Sequence, residues 1–169
     1  MEETTERVPL PLFAYSVMPN HWHFVVRGET DDQITAFFRW LTHTHTMRWH
    51  AHHRTSGTGH LYQGRFKAFP IEESDHLLSV LRYVERDPLQ ANLCEKADAR
   101  ALLAKWPIPR PRQWRSYVNK PINEKELEAI RKCTRRGTPF SNDRWISQSA
   151  ARLHLQYTLS PRGRPKMKK

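Results

Sequence analysis

The sequence predicts an α+β fold, and three observations carry that expectation. Two short apolar runs, 10–18 and 21–26, flank the turn dipeptide Pro19-Asn20, which reads as an antiparallel hairpin. Two longer stretches, 31–52 and 74–86, repeat apolar residues at helical spacing. A third extended run, 61–70, stands between those helices. With 169 residues, the chain can build one domain of ordinary size or a small domain with an appendage.

In the first strand Phe13, Tyr15 and Val17 share a face, and Pro9 and Pro11 keep its start irregular. The second strand carries His21 and His23. Side chains alternate along a strand, so these two imidazoles project to one side, about 7 Å apart along the chain. They can converge on one divalent metal, or they can be two ordinary strand histidines. Arg27-Gly28 ends the strand.

Thr30 or Asp31 can cap the first long helix. Ile34, Phe37, Phe38, Leu41, His45 and Trp49 form one stripe at helical spacing, expected to be buried. His43, His45, His50 and His52 lie on the same helix, with His53 just after. They suit a polar face near phosphate or solvent, or a second metal site. Residues 54–59 form a turn rich in Gly, Ser and Thr.

In the run 61–70, Gln63, Arg65 and Lys67 would share a strand face, where two cations can follow a phosphate backbone or simply face solvent. Ser74 or Asp75 caps the next helix, and Pro88 is expected to stop it. Leu77, Leu78, Leu81 and Val84 are its apolar face. Tyr83 and Asp87, four apart, sit one above the other on its flank.

Beyond Leu93 the texture changes. Three prolines and two arginines between Trp106 and Trp114 suggest a linker or extended arm. Asn123 with Glu126 resembles a capping box for a helix carrying Leu127 and Ile130 and ending at Gly137. Ser141 or Asn142 opens another, with Trp145, Ile146 and Leu153. The expected divisions are 1–94, 95–122, 123–159 and the tail 160–169. That tail carries Arg162, Arg164 and Lys166 in an Arg-Gly-Arg-Pro setting similar to an AT-hook, suited to A·T-rich duplex, or it is a nonspecific basic tail.

The formal charge is +11, which makes a polyanion the leading partner class. No long apolar run or strongly hydrophobic basic helix points to a membrane. Met1 to Arg7 is polar and acidic, so no secretory signal is expected, and Cys94 and Cys133 fit neither a zinc spacing nor a disulfide framework. A cytoplasmic, nucleoid-associated protein is the expectation.

Several motifs together resemble the REP-associated tyrosine transposases, of the HUH single-tyrosine group that acts on single-stranded DNA. They are Met18-Pro19-Asn20-His21-Trp22-His23, Tyr62-Gln63-Gly64-Arg65-Phe66-Lys67, Leu81-Arg82-Tyr83-Val84 and Asp87-Pro88-Leu89-Gln90-Ala91. Arg136-Gly137-Thr138-Pro139-Phe140 and the tail are also similar. The resemblance implies a ferredoxin-like antiparallel sheet with helices on one face. In that fold a first strand and helix precede the hairpin, so the catalytic domain 1–94 reads as N-terminally truncated. It implies that His21, His23 and Asp87 hold Mg²⁺ or Mn²⁺. Tyr83 would then attack phosphorus to give a 5′-phosphotyrosine and a free 3′-OH.

Asp87 stands where the family often has Asn or Gln. Arg65, Lys67, Arg162, Arg164 and Lys166 are the candidate DNA contacts, and the partner is single-stranded or hairpin DNA bound by a monomer or homodimer. Two other readings stay open. One is a catalytically inactive DNA-binding relative; the other is a hydrolase using a metal-bound water, which would leave no protein–DNA adduct.

Overall fold

A computed structural model describes residues 1–91 and 103–160 of the chain. By contact density it divides into two units, Met1–Phe66 with Leu81–Lys120 and Lys67–Val80 with Pro121–Lys169. The α+β class is what forms: a two-stranded antiparallel sheet with helices.

In the first unit β1 (Leu12–Val17) and β2 (Trp22–Val26) make the hairpin around Pro19-Asn20. Met18 N donates to His21 O at 2.9 Å and closes the turn. Ser16 faces His23, Tyr15 faces Phe24, and a bulge lies between Leu12 and Ala14. The alternation of β2 then separates two surfaces. Trp22, Phe24 and Val26 pack with Leu10, Leu12, Phe37 and Phe38 into a core against α2 (Asp31–His53). Trp22 stacks on Phe38 with ring centroids 5.1 Å apart and planes 7° from parallel. Ser16 and His23 point the other way, toward α3 (Asp75–Gln90). The two long helices thus take opposite faces of the hairpin rather than sharing one. The sequence demands it, because aromatic and imidazole side chains alternate along a single strand.

The N-terminal residues are not a bare lead-in. They form α1 (Glu2–Arg7), which ties to α2 through Arg48–Glu3 at 2.6 Å and through the Arg7 guanidinium, 3.9 Å over the Trp40 ring. The outer edge of β1 is covered as well: Ala104 N donates to Leu12 O at 2.7 Å, and Trp106 Nε1 donates to Phe13 O at 2.9 Å. Residues 103–120, within the stretch expected as a linker, therefore belong to this unit and end in α4 (Trp114–Asn119).

Pro88 does not stop α3. The helix runs on to Gln90, and Ala91 N bonds Asp87 O at 3.1 Å. The ring removes one intrahelical bond, a cost of about 3 kcal/mol in an isolated helix. Side-chain anchoring offsets it. Arg82 donates to Lys120 O at 2.9 Å and lies 4.0 Å over the Tyr117 ring, while Arg86 donates to Val118 O and Asn119 O at 3.0 and 2.8 Å. The last carbonyls of α4 find their partners there.

No strand forms over 61–70; among the described residues the sheet has two strands. Gly64 has φ +141°, which breaks the extended repeat, and Tyr62 and Phe66 are held by α2 residues His45 and Phe38. Thr30 takes the N-cap position of α2 without a side-chain cap bond; Gln33 Oε1 accepts from Glu29 N at 2.7 Å instead.

In the second unit α5 (Glu124–Arg136) and α6 (Asp143–Arg152) are capped by Asn123 and Asn142, whose Oδ1 atoms accept from Lys125 N and Trp145 N. Gly137, φ +73°, closes α5. Ile71 pairs with Phe140 in a single parallel bridge, and Glu72 accepts from Ser74 and Ser141. Leu127 and Ile130 are buried as expected, but Leu153, at the C-cap of α6, is exposed. Among the described residues no helix is long and apolar enough to cross a membrane.

Candidate metal centre and tyrosine

The centre is assembled by the first unit alone, from β1, the hairpin turn, β2 and the second half of α3. His21 and His23 reach one side of β2, as strand alternation requires. Asp87 approaches from α3, and one ligand atom from each of the three lies within 4.8 Å of the others. His21 Nε2 is 3.1 Å from Asp87 Oδ2. Donor atoms on adjacent vertices of an octahedral ion at about 2.1 Å stand about 3 Å apart, so the His21–Asp87 spacing fits a small divalent cation. It is the only cluster of this kind among the described residues. The histidines of α2 form no such group.

The hydrogen bonds around His21 point the same way. Its Nδ1 lies 2.7 Å from Asn20 Oδ1, an atom that can only accept. With the ring proton on Nδ1, where Asn20 accepts it, the neutral ring presents a lone pair at Nε2. That lone pair faces a carboxylate oxygen. Two acceptors at 3.1 Å are satisfied only by positive charge between them, either a proton on Nε2 or a metal ion. Ser16 Oγ donates to the same Asp87 Oδ2 at 3.3 Å. Ser16 is fully buried, and the Asp87 side chain is only 14% exposed.

Asn20 and Ser16 were not among the residues expected at the site. Asn20 was legible only as a turn former. Ser16 could not be found from pattern, because it is a lone serine at alternate spacing with the apolar Leu12, Ala14 and Met18, where a small residue reads as packing. Its burial is set by the pairing with His23. The expected apolar face of β1 is also modified: Val17 is 62% exposed.

His23 is half-buried, and burial lowers its pKa below the ordinary imidazole value. Asp87 opposes that shift and His21 adds to it. His23 is thus held neutral, the form that ligates a cation. The Tyr83 ring meets His23 edge-on, with centroids 5.3 Å apart. Tyr83 lies one helical turn before Asp87, so a hydroxyl and the candidate ligand set share one face of α3.

The basic residues distribute differently. Arg65 and Lys67 are exposed, on irregular chain instead of a strand face, and they fall in different units. Arg162, Arg164 and Lys166 lie outside the described residues.

A family model described as IS200-like transposase matches residues 1–87. The chain belongs to that family. The matched span holds the hairpin, α2 and α3 as far as Asp87, and so contains all six residues of the centre. No curated protein and no solved structure matches the chain.

Proposed function

We propose that this IS200-like transposase cleaves and rejoins single-stranded DNA by transesterification at Tyr83, with His21, His23 and Asp87 holding a divalent metal. The observation that carries the reading is the convergence of those three ligand atoms within 4.8 Å beside the tyrosine ring. Mg²⁺ or Mn²⁺ at these atoms would supply Lewis-acid charge for a phosphoryl group.

The residues of the chain do the rest. Asn20 fixes the tautomer of His21, and Ser16 orients Asp87. Tyr83 Oη attacks the phosphorus of a phosphodiester. A tyrosyl–phosphate bond forms, the bond from phosphorus to the 3′ oxygen breaks, the phenolic proton is released, and the departing 3′ oxygen is protonated. One phosphodiester is exchanged for another, so a 3′-OH can reverse the step and join strands. The motif Tyr62-Gln63-Gly64-Arg65 and the basic tail support assignment to the REP-associated branch, whose substrates are hairpins with single-stranded flanks. The charge of +11 suits that partner.

The test is a denaturing gel of the full chain incubated with Mn²⁺ and labelled hairpin DNA from the sequence flanking its gene. A labelled protein band is expected, absent in Tyr83→Phe and in His21→Ala. A band that persists in Tyr83→Phe removes Tyr83 from the role. Hairpin binding without any band in the unmodified chain would leave a DNA-binding protein without this chemistry.

A further inference from the structure

The apolar stripe of α2 does not stay inside. Phe37 and Phe38 are core, Leu41 is half-buried, but His45 and Trp49 on the same stripe are exposed, Trp49 by 41%. The reason is length: α2 has 23 residues, about 34 Å. The five residues of β2 span about 17 Å. The second half of the helix therefore runs past the strands that bury the first half.

On that half the aromatic rings are ordered against one another. Tyr62 and His45 have centroids 5.8 Å apart, His45 and Trp49 5.9 Å, and Trp49 and His53 4.1 Å, with His52 a further 4.8 Å from His53. The lower end is fixed. The Tyr62 hydroxyl lies 2.6 Å from His45 Nδ1 and accepts from the Trp22 side chain, and burial pushes its pKa up, so it stays neutral. This row leaves Trp22, the residue between His21 and His23, and continues into solvent along α2.

Its surroundings are cationic. Residues 33–66 contain Arg39, Arg48, Arg54 and Arg65 and no Asp or Glu. Arg48 is paired with Glu3; Arg54 directly follows His53. Exposed rings beside cations, with the Glu3 carboxylate already paired to Arg48, suit a ligand that offers flat π faces and negative charge together. An apolar protein partner would not require the cations, and a lipid surface would not require the rings in a row.

We infer that Tyr62, His45, Trp49 and His53 form a base-stacking track for single-stranded DNA, separate from the metal centre. Unpaired bases stack on the exposed rings, and the phosphates lie toward the basic chain around them. The inference rests on the single-strand reading proposed above and adds to it the surface that holds the strand away from the scissile phosphate.

The test compares Trp49→Ala, Trp49→Phe and His53→Ala with the unmodified full chain. Binding of a labelled single strand and of a blunt duplex of the same sequence is followed by fluorescence anisotropy in EDTA. Trp49→Ala is expected to weaken single-strand binding about tenfold, and His53→Ala about threefold, while Trp49→Phe stays close to the parent. Duplex binding should change by less than about twofold in each, because paired bases hide their faces. Trp49 and His53 are exposed, and unchanged thermal melting of the variants confirms that the fold is intact. Equal single-strand affinity in Trp49→Ala and parent overturns the track while leaving Tyr83 chemistry standing. Equal loss on single strand and duplex also overturns it, since that pattern belongs to charge alone. Failure of the parent to bind single strands overturns both the track and the reading on which it rests.

Discussion

Asn20→Ala isolates the arrangement that makes the centre a cation site. In the parent, Asn20 Oδ1 lies 2.7 Å from His21 Nδ1 and favours the tautomer protonated there, which turns the Nε2 lone pair to Asp87 Oδ2 at 3.1 Å. Without Asn20 the proton can move to Nε2 and donate to Asp87. The neutral centre then closes on itself with a hydrogen bond to a carboxylate. A metal ion must break that bond and restore the other tautomer. The bond made in the variant is worth about 1 to 2 kcal/mol net. That corresponds to about 5- to 30-fold in affinity. Loss of an outer partner of a ligating histidine typically costs about 10- to 100-fold, which overlaps this range. The expected result is therefore about tenfold weaker Mn²⁺ binding in Asn20→Ala, read by the electron paramagnetic resonance of free Mn²⁺ during titration. Asn20→Asp keeps the acceptor and should bind at least as tightly as the parent. Mn²⁺ affinity in Asn20→Ala within twofold of the parent would refute the tautomer argument.

Two further predictions concern stability. His23 has its pKa lowered chiefly by burial, so as pH falls below about 6.5 the unfolded chain takes up a proton that the folded chain refuses. Stability of the metal-free protein should therefore decline from that pH downward, until the pH passes below the folded pKa, and His23→Gln should flatten the melting temperature over the same window. An unchanged slope would mean that His23 titrates normally. Gly137→Ala places a Cβ at φ +73°, where an L residue costs about 1 kcal/mol or more, and should lower the denaturant midpoint without changing the slope of the transition.

Local features were legible because their causes are local. Pro19-Asn20 between two apolar runs is a hairpin by turn chemistry, and the structure has it. The helix over 31–52 appears as Asp31–His53, and Asn123, Gly137 and Asn142 cap where their types predict. The stacking of Tyr83 over Asp87 follows from helical spacing alone. The misjudged elements share a different cause. Pro88 reads as a stop until Arg82 and Arg86 are seen holding the end of α4. The run 61–70 reads as a strand until Tyr62 and Phe66 are found committed to α2. His45 and Trp49 read as core because periodicity reports a stripe and not what lies beneath it.

The sequence by itself determined the hairpin, the two long helices and the chemistry available on them: two imidazoles on one strand face, a hydroxyl and a carboxylate one turn apart. Each depends on a fixed backbone period and needs no knowledge of neighbours. Only the tertiary structure decided that α3 lies on the imidazole face and α2 on the aromatic face. It brought Asp87 within 3.1 Å of His21, buried Ser16 behind it, and left half of an aromatic stripe in solvent. Those outcomes depend on contacts between residues as many as 71 positions apart, which no local period encodes.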